Sequence, residues 1–302
     1  KSLYLAVMAT NKLIRERIRK LKKEFDELRV GKNALLAVID EAELPEAVYN
    51  SNAIENSTLS LSDTEKILLE AEASVDASPR EIFEAKNLAR VSAYMRERAE
   101  DTDVNKETIL LLHKMLLTGI DDSIAGRFRK SGEYVRVGTH IAPAPEHVEK
   151  MVEAALADYA SDHETYAPDK VAQFHLRFEH VHPFCDGNGR IGRVLINWQL
   201  ARLGFPAVII RNKEKHLYYA TFAANRDKKN AKPMEKVLTL ALTESLHKRI
   251  AYLRGAEMVR LSDYAKRHKK SSTALSNAAR RQNIPAFREK GVWKISSDFK
   301  MI

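Results

Sequence analysis

The chain has 302 residues, of which 44% are hydrophobic and 30% are charged, a composition that excludes a disordered protein. No apolar run is long enough to cross a bilayer, and a single cysteine, Cys185, excludes an internal disulfide. The net charge of +9 is concentrated in residues 255–302, which hold eleven Lys or Arg against four Asp or Glu.

The same features favour a cytoplasmic protein that does not enter a membrane. A lone cysteine fits a reducing compartment. The stretch Lys1–Arg19 lacks the uninterrupted apolar segment and the cleavage site of a signal peptide.

Eleven Gly and nine Pro are few for this length and favour helices. From Leu13 to Ala42 apolar residues recur at helical spacing, with a break at Gly31. A second helical stretch is predicted after Pro45, and Ser62–Glu65 has the capping-box pattern that opens a third. Another helix is predicted to begin at Pro79.

The second half of the chain alternates between helices and one irregular segment. Residues 108–118 have helical periodicity, whereas residues 126–145 combine β-favouring side chains with loop formers and predict a short β-hairpin. Helices are predicted to resume from Glu146, after Asp169, and over Asn188–Leu203 and Met234–Tyr252.

The pattern therefore predicts a mainly α protein with one β-hairpin and a small basic C-terminal module. We divide it into an N-terminal helical region (1–100), a core (101–252) and the basic tail (255–302).

One run, His182-Pro-Phe-Cys-Asp-Gly-Asn-Gly-Arg-Ile-Gly-Arg193, combines several devices for phosphate chemistry. Its Gly-Asn-Gly turn precedes an apolar helical segment, so its backbone N–H groups lie at a helix N-terminus and can bind an anion. Arg190 and Arg193 are three residues apart, on one helix face, and can hold two phosphate groups. A helix-entry turn with two solvated arginines is the alternative.

Two further residues of this run point to transfer chemistry. Asp186 is a hard oxygen ligand beside the predicted phosphate site, where Mg²⁺ commonly bridges a carboxylate and a phosphate. His182 precedes the turn and can take up a proton near neutral pH. The run therefore predicts phosphoryl or nucleotidyl transfer.

The run resembles the signature of the Fic family, His-x-Phe-x-Asp/Glu-Gly-Asn-Gly-Arg-x-x-Arg, at every specified position. The resemblance extends loosely over residues 45–245. It implies a Fic-type helical bundle that transfers AMP from ATP to a Ser, Thr or Tyr hydroxyl of a target protein. It also implies the role of each residue: His182 is the general base, Asp186 binds Mg²⁺, Gly187, Asn188 and Gly189 hold the α- and β-phosphates, Arg190 contacts the β-phosphate and Arg193 the γ-phosphate.

The resemblance suggests an adenosine site further along the chain. Tyr218 and Asn225 are similar to the positions that contact adenosine in Fic enzymes. Tyr219 competes for the aromatic role, and core packing explains either tyrosine almost as well. His175 and His180 are interpreted as structural or solvated, because no partner set has metal-ligand spacing.

The segment Ser51-Asn-Ala-Ile-Glu55-Asn56 resembles the inhibitory motif of the family, Ser/Thr-x-x-x-Glu-Gly/Asn. The resemblance implies that Glu55 pairs with Arg193 and displaces the γ-phosphate of ATP, because carboxylate and phosphate compete for one guanidinium. The alternative is an ordinary helix with Ser51 as its N-cap and an exposed Glu55.

Residues 133–142 correspond to the flap of the family, which adds a strand to the target peptide. A simple surface hairpin is the alternative. In the tail, residues 261–295 resemble a helix-turn-helix followed by a wing, as in winged-helix DNA-binding modules. DNA is therefore an expected partner, and a protein-binding or dimerising module is the alternative, so a homodimer stays open.

Three other functions remain compatible with the sequence. A related site can remove AMP or transfer another phosphate-linked group. The chain can be a DNA-binding regulator with an inactive Fic site. It can also be a toxin-like protein that another protein restrains, although an internal Glu55 makes an external inhibitor less necessary.

Overall fold

The structure is a computed structural model and describes residues 10–69 and 76–300. The predicted fold class is confirmed, since these residues are mainly helical with two small antiparallel sheets. The helices are α1 (Lys12–Arg29), α2 (Asn33–Ile54), α3 (Leu61–Leu69), α4 (Pro79–Arg98), α5 (Lys106–Leu117), α6 (Pro145–Ser161), α7 (Ala167–Val181), α8 (Asn188–Arg202), α9 (Lys215–Lys228), α10 (Lys232–Leu253), α11 (Leu261–Arg267) and α12 (Ser272–Arg280). The strands are β1 (Arg136–Val137), β2 (His140–Ile141), β3 (Met258–Arg260), β4 (Phe287–Glu289) and β5 (Val292–Ser296).

The chain divides into two compact units. The first consists mainly of Pro45–Phe205 and Ile209–Leu238, and the second mainly of Asn11–Leu44 and the residues from Thr239 onward. The three-part division made from the sequence stays a prediction. Residues 1–9, which include the start of the stretch Lys1–Arg19, lie outside the described residues.

The first unit is a helical bundle centred on α7 and α8. Helix α7 packs against α6, α8 and α9, and α4 packs against α3, α5 and α8. Large side chains from these helices and from the loop between α7 and α8 are fully buried, among them Trp198, Phe178, Phe184 and Leu116. The bundle therefore holds the end of α7 and the start of α8 side by side.

Two helix starts differ from the sequence predictions. Helix α2 does not begin after Pro45 but passes through it, and buried ion pairs of Glu43 with Arg249 and of Glu46 with Arg211 hold its two halves within their respective units. The capping residue of α3 is Ser60 and not Ser62, because the Ser60 hydroxyl accepts the N–H of Asp63 at 3.1 Å and the Asp63 carboxylate accepts the N–H of Ser60 at 3.0 Å.

Other predicted boundaries are close to the observed ones. Helix α4 begins at Pro79 as predicted, with Ser78 and Glu81 forming a capping box. Helices α6 and α7 begin at Pro145 and Ala167, each with a proline in the first turn, where the missing N–H costs nothing.

The second unit has two short helices and a β-hairpin at the positions where the sequence resembles a helix-turn-helix and a wing. Its three strands form an antiparallel sheet in the order β3-β5-β4. Helix α11 packs against β3 and β5, and α12 packs against α11. Ser271 caps α12 through the N–H of Ala274, and Leu261, Tyr264, Leu275 and Ile295 belong to one buried apolar cluster. Among the helices of the described residues, none is both long and apolar enough to cross a bilayer.

Candidate active site

His182 is the residue at which α7 ends. Its backbone is left-handed, with φ 47° and ψ 63°, and its N–H donates to the carbonyl of Phe178 at 2.9 Å. A left-handed conformation is unfavourable for a residue with a Cβ and is found mostly where function or tight packing requires it. It turns the chain sharply into the loop 182–187 that leads to α8.

His113 of α5 packs against this loop and forms a hydrogen bond with its backbone. Its ring stacks on Phe184 with 3.7 Å between the ring centroids, and its Nδ1 accepts the N–H of Gly126 at 3.0 Å. The hydrogen must then lie on Nε2, which donates to the carbonyl of Asp186 at 3.1 Å. Burial lowers the pKa of His113 to about 4, so this neutral tautomer persists at neutral pH.

Two other side chains fix the loop backbone. The Asn188 amide accepts the N–H of Phe184 at 2.9 Å and donates to the Phe184 carbonyl at 2.8 Å. The buried Arg129 guanidinium donates to the carbonyls of His182 (2.9 Å), Glu133 (3.0 Å) and Pro143 (2.8 Å). Asn188 therefore braces the loop with its side chain, whereas Arg129 joins the loop to both ends of the hairpin.

The N-terminus of α8 is open for an anion. Gly187 is its N-cap with φ 80° and no side-chain capping bond, so backbone N–H groups of the first turn lack an intrahelical partner. A Cβ at Gly187 would lie 3.0–3.1 Å from methyl groups of Leu116 and Leu117. Both the conformation and the packing therefore require glycine here.

Asp186 and Arg190 lie at this helix end, as the sequence predicts. Arg190 Nη2 contacts Asp186 Oδ1 at 3.1 Å, and Arg80 Nη2 donates to Asp186 Oδ2 at 2.6 Å. Glu84 pairs with Arg190 Nη1 at 3.1 Å. Burial opposes ionisation of Asp186, but Arg190, the N–H of Gly187 and Arg80 outweigh it and hold its pKa below the ordinary value.

Arg193 is buried one turn further along α8 and contacts α2. Its Nε donates to the Ser51 hydroxyl at 3.0 Å, and its Nη2 donates to the Ser51 carbonyl and to Glu55 Oε1, both at 2.8 Å. Ser51 lies inside the last turns of α2, so its interpretation as an N-cap is wrong. Helix α2 ends after Ile54, and Asn56 takes a left-handed conformation with φ 71°, which asparagine tolerates well.

Gly189 provides the space for this contact. A Cβ at Gly189 would clash with Glu55 Oε1 and lie 3.0 Å from the Glu55 Cδ. The carboxylate of Glu55 therefore lies against the first turn of α8, where two polar atoms, Arg190 Nε and Arg193 Nη1, are buried without a hydrogen-bond partner among the described residues.

A cavity of about 670 Å³ lies beside Glu55 and the start of α8, and its volume is typical of small-molecule sites. Its walls include the predicted site residues Glu55, His182, Gly189, Arg193, Tyr218 and Asn225. Strands β1 and β2 form another wall, and the side chains of Val137 and Ile141 are exposed.

The two tyrosines of α9 contact different partners. Tyr218 is only 2% exposed and its hydroxyl contacts His175 Nε2 at 2.7 Å, so only a small part of its ring reaches the cavity. The Tyr219 hydroxyl donates to the Ile54 carbonyl at 2.8 Å, at the end of α2. Asn225 lines the cavity further along α9.

Several residues of the site gave no signal in the sequence. Glu179, one turn before His182, is a buried carboxylate whose Oε2 lies 3.6 Å from His182 Nδ1. His113 and Arg129 act through backbone contacts that span many residues of sequence. Arg80 and Glu84, one turn apart on the α4 helix that Pro79 predicts, contact Asp186 and Arg190. A basic and an acidic residue at this spacing are common on exposed helices and therefore carry little information.

Comparison with known proteins finds a family match in the central part of the chain. Residues 103–200 match the model of the Fic/DOC family. Over 177 residues, 57% of this chain, the sequence is 36% identical to the protein adenylyltransferase Fic of Nematostella vectensis. That match covers 41% of the relative, so the chain spans about two fifths of the length of this curated relative.

Solved structures with the same fold cover most of the chain. A Fic domain containing signaling protein from Bacteroides thetaiotaomicron aligns with 79% of this chain and 97% of its own, at a TM-score of 0.72 and 24% identity. A Fic family protein from Desulfovibrio desulfuricans aligns with 98% of this chain and 99% of its own, at a TM-score of 0.63 and 20% identity. At 24% and 20% identity, these matches show a similar fold and nothing about activity.

Proposed function

On the premise that residues 103–200 are a domain of the Fic/DOC family, we propose that this chain transfers AMP from ATP to a hydroxyl group of a target protein. The observation that carries the proposal is the face formed by the open N-terminus of α8 and two buried arginines. Arg190 Nε and Arg193 Nη1 have no hydrogen-bond partner among the described residues. Buried donors of this kind suit phosphate oxygens.

ATP is the substrate that this site accommodates. The N–H groups of the first turn of α8 would bind phosphates together with Arg190, while Arg193 would bind the γ-phosphate once Glu55 leaves it. Adenosine would occupy the cavity beside Asn225 and the exposed edge of Tyr218. Tyr218 contributes little surface because it is only 2% exposed.

Asp186 is the residue that would hold Mg²⁺. The described residues contain no cluster of three or more potential metal ligands, but Mg²⁺ often uses one or two carboxylates together with phosphate oxygens and water. The lowered pKa of Asp186 provides an ionised carboxylate at neutral pH. The chain's own donors therefore fit Mg²⁺ that arrives with a nucleotide, and the ion would neutralise phosphate charge.

His182 would act as the general base. Its Nε2 takes the proton of the target hydroxyl, and the oxygen lone pair forms the new bond to the α-phosphorus. The bond between this phosphorus and the oxygen of the β-phosphate breaks, so pyrophosphate leaves and AMP remains on the target. The arginines and helix N–H groups stabilise the charge that moves onto pyrophosphate.

Glu55 would be an internal brake on this reaction. It pairs with Arg193 at 2.8 Å and occupies the space beside Gly189, so it competes with the γ-phosphate for the same guanidinium. Such a protein is inactive at rest and becomes active when α2 moves away from Arg193. The contact of Tyr219 with the Ile54 carbonyl helps to keep α2 in place.

The flap, residues 133–142, would present the target. The hairpin has only two residue pairs, Arg136 with Ile141 and Val137 with His140, and such a short exposed strand pair can accept a peptide as an additional strand. Its base is fixed by Arg129 at Glu133 and Pro143. The hydroxyl of a bound peptide would then lie near His182, whose side chain lines the same cavity.

A labelling experiment distinguishes AMP transfer from its alternatives. The Glu55→Gly protein is incubated with Mg²⁺, a candidate target and ATP labelled at either the α- or the γ-phosphorus. AMP transfer predicts protein labelling from α-labelled ATP alone. Labelling from the γ-position alone would mean phosphate transfer, and release of AMP from a modified target without labelling would mean the reverse reaction. His182→Ala is the control that must abolish labelling.

We further propose that the tail binds DNA through the turn between α11 and α12. Lys266, Arg267, Lys269 and Lys270 are all exposed there, next to a helix whose first turn Ser271 caps. Binding to a labelled DNA duplex should weaken steeply with salt and should be lost in Lys269→Glu/Lys270→Glu. The control is Lys150→Glu, at an exposed lysine of α6. Equal binding by both charge-reversal variants would exclude this surface.

A further inference from the structure

Glu179 is a buried carboxylate beside the proposed base. It lies three residues before His182 on α7, and the two side chains are 11% and 14% exposed. The distance from Glu179 Oε2 to His182 Nδ1 is 3.6 Å, within reach of an ion pair and slightly longer than a hydrogen bond. Neither His182 Nδ1 nor Glu179 Oε1 has a hydrogen-bond partner among the described residues.

The absence of a side chain at Gly192 leaves room for this carboxylate. A Cβ at Gly192 of α8 would lie 2.5 Å from Glu179 Oε1 and 2.8 Å from the His175 ring, so a larger residue there would displace both. His175 is buried and fixed by the Tyr218 hydroxyl at 2.7 Å. A buried carboxylate that lacks a strong partner costs free energy, which makes the nearby imidazole its natural counterpart.

The charges around the pair keep Glu179 ionised. Burial raises its pKa, but the contact with His182 and the positive charge of Arg193 outweigh burial, and the pKa lies below its ordinary value. Tyr218 on α9 is buried and protonated, since burial raises its pKa strongly. Glu55 is already paired with Arg193. Glu179 is therefore the anion available to Nδ1 of His182.

We propose that Glu179 is a positioning residue that accepts the Nδ1–H of His182 and so leaves Nε2 as the free base. The inference rests on the proposed function of His182. A carboxylate in this place selects one neutral tautomer, orients the ring, and stabilises the imidazolium that forms when the hydroxyl proton arrives. A small rotation of the imidazole would shorten the Glu179–His182 distance to that of a hydrogen bond. Catalytic hydrogen bonds are often long in the free enzyme and tighten in the reacting complex.

The test uses Glu179→Gln in the Glu55→Gly protein, which keeps the size of the side chain and removes its charge. A glutamine amide can donate to Nδ1, and the hydrogen then moves to Nε2, where it blocks the base. We expect the rate of AMP transfer at neutral pH to fall about 100-fold, and the acid limb of the pH–rate profile to move to lower pH. Glu153→Gln, at an exposed residue of α6, is the matched control and should change neither.

A second readout does not depend on turnover. Nitrogen-15 NMR of ring-labelled histidine, with the His182 signal assigned by its loss in His182→Ala, reports which ring nitrogen carries the hydrogen. We expect Nδ1–H in the parent and a shift toward Nε2–H in Glu179→Gln. An unchanged tautomer and an unchanged acid limb would overturn the proposal, even if the variant is less stable. A parent that shows the Nδ1–H tautomer but transfers no AMP would instead contradict the proposed function alone.

Discussion

Gly189 is the residue on which the contact between α2 and α8 depends most directly. The carboxylate of Glu55 approaches its Cα so closely that a methyl group has no room, and Arg193 Nη1 lies 3.1 Å from the same position. In a helix without such a neighbour, alanine is more favourable than glycine by about 1 kcal/mol. The effect of a methyl group here therefore depends on whether Glu55 is present.

This dependence gives a prediction for Gly189→Ala. In the wild-type background we expect the substitution to lower the free energy of unfolding by about 1–3 kcal/mol, the usual cost of overpacking. In the Glu55→Gly background the cost should disappear or change sign. Urea unfolding of the four proteins measures this coupling as a double-mutant cycle. Equal effects of Gly189→Ala in both backgrounds would show that Glu55 does not occupy this space in solution.

Among the secondary-structure elements, the flap and the loop after α7 are joined by Arg129. Its guanidinium donates to backbone carbonyls on both sides, including those of His182 and Glu133, and its own N–H donates to the carbonyl of Pro183 at 3.0 Å. Burial lowers its pKa, yet Arg129 remains protonated because guanidinium titrates far above neutral pH. Arg129 therefore helps to set the position of the flap relative to the proposed base, together with the contact of His140 with the His180 carbonyl at 2.9 Å.

We expect Arg129→Lys to loosen the flap. A lysine cannot satisfy carbonyls in several directions, and each buried carbonyl left unpaired costs about 1–3 kcal/mol. The free energy of unfolding should fall by about 2–4 kcal/mol, and amide hydrogen exchange should accelerate over residues 133–142. Arg136→Lys, at an exposed arginine of the flap, is the control. Unchanged exchange in Arg129→Lys would mean that other contacts hold the flap.

Some secondary-structure elements could be predicted from neighbouring residues in the sequence, and others could not. The turn at residues 187–189, the hairpin and the start of α4 were predicted because glycines, prolines and capping residues act within a few positions. The run of α2 through Pro45 was not predicted. Residues on both sides of Pro45 form ion pairs with residues about 165 positions or more away, and such contacts leave no local pattern in the sequence. Glu55 and Arg193 were paired only through the family resemblance. Contacts of His113 and Arg129 with backbone atoms leave no pattern in the sequence.

At the scale of the whole molecule, three histidines of the described residues are buried and neutral. Burial lowers the pKa of His113, His175 and His247 to about 4. In the unfolded chain a histidine titrates near 6.5. Between these values the unfolded state binds more protons than the folded state, so acid favours unfolding and stability rises with pH over this range.

We expect the free energy of unfolding to fall between pH 7 and pH 5. The contribution is about 2 kcal/mol for each buried histidine over this interval. His113→Gln should reduce the pH dependence by one such contribution, whereas His163→Gln, at an exposed histidine, should leave it unchanged. Urea unfolding at the two pH values measures both. A stability that does not change between pH 7 and pH 5 would contradict the neutral, buried state of these rings.

The most direct test of the central claim is the intact mass of the protein after incubation with ATP and Mg²⁺. Three forms are compared: wild type, Glu55→Gly, and Glu55→Gly with His182→Ala. Our account predicts that Glu55→Gly gains the mass of AMP, that the wild type gains little, and that the double variant gains none. An AMP-sized gain in the double variant would exclude His182 as the base, and an equal gain in wild type and Glu55→Gly would exclude Glu55 as the brake. A gain of a different mass in Glu55→Gly would contradict AMP transfer itself.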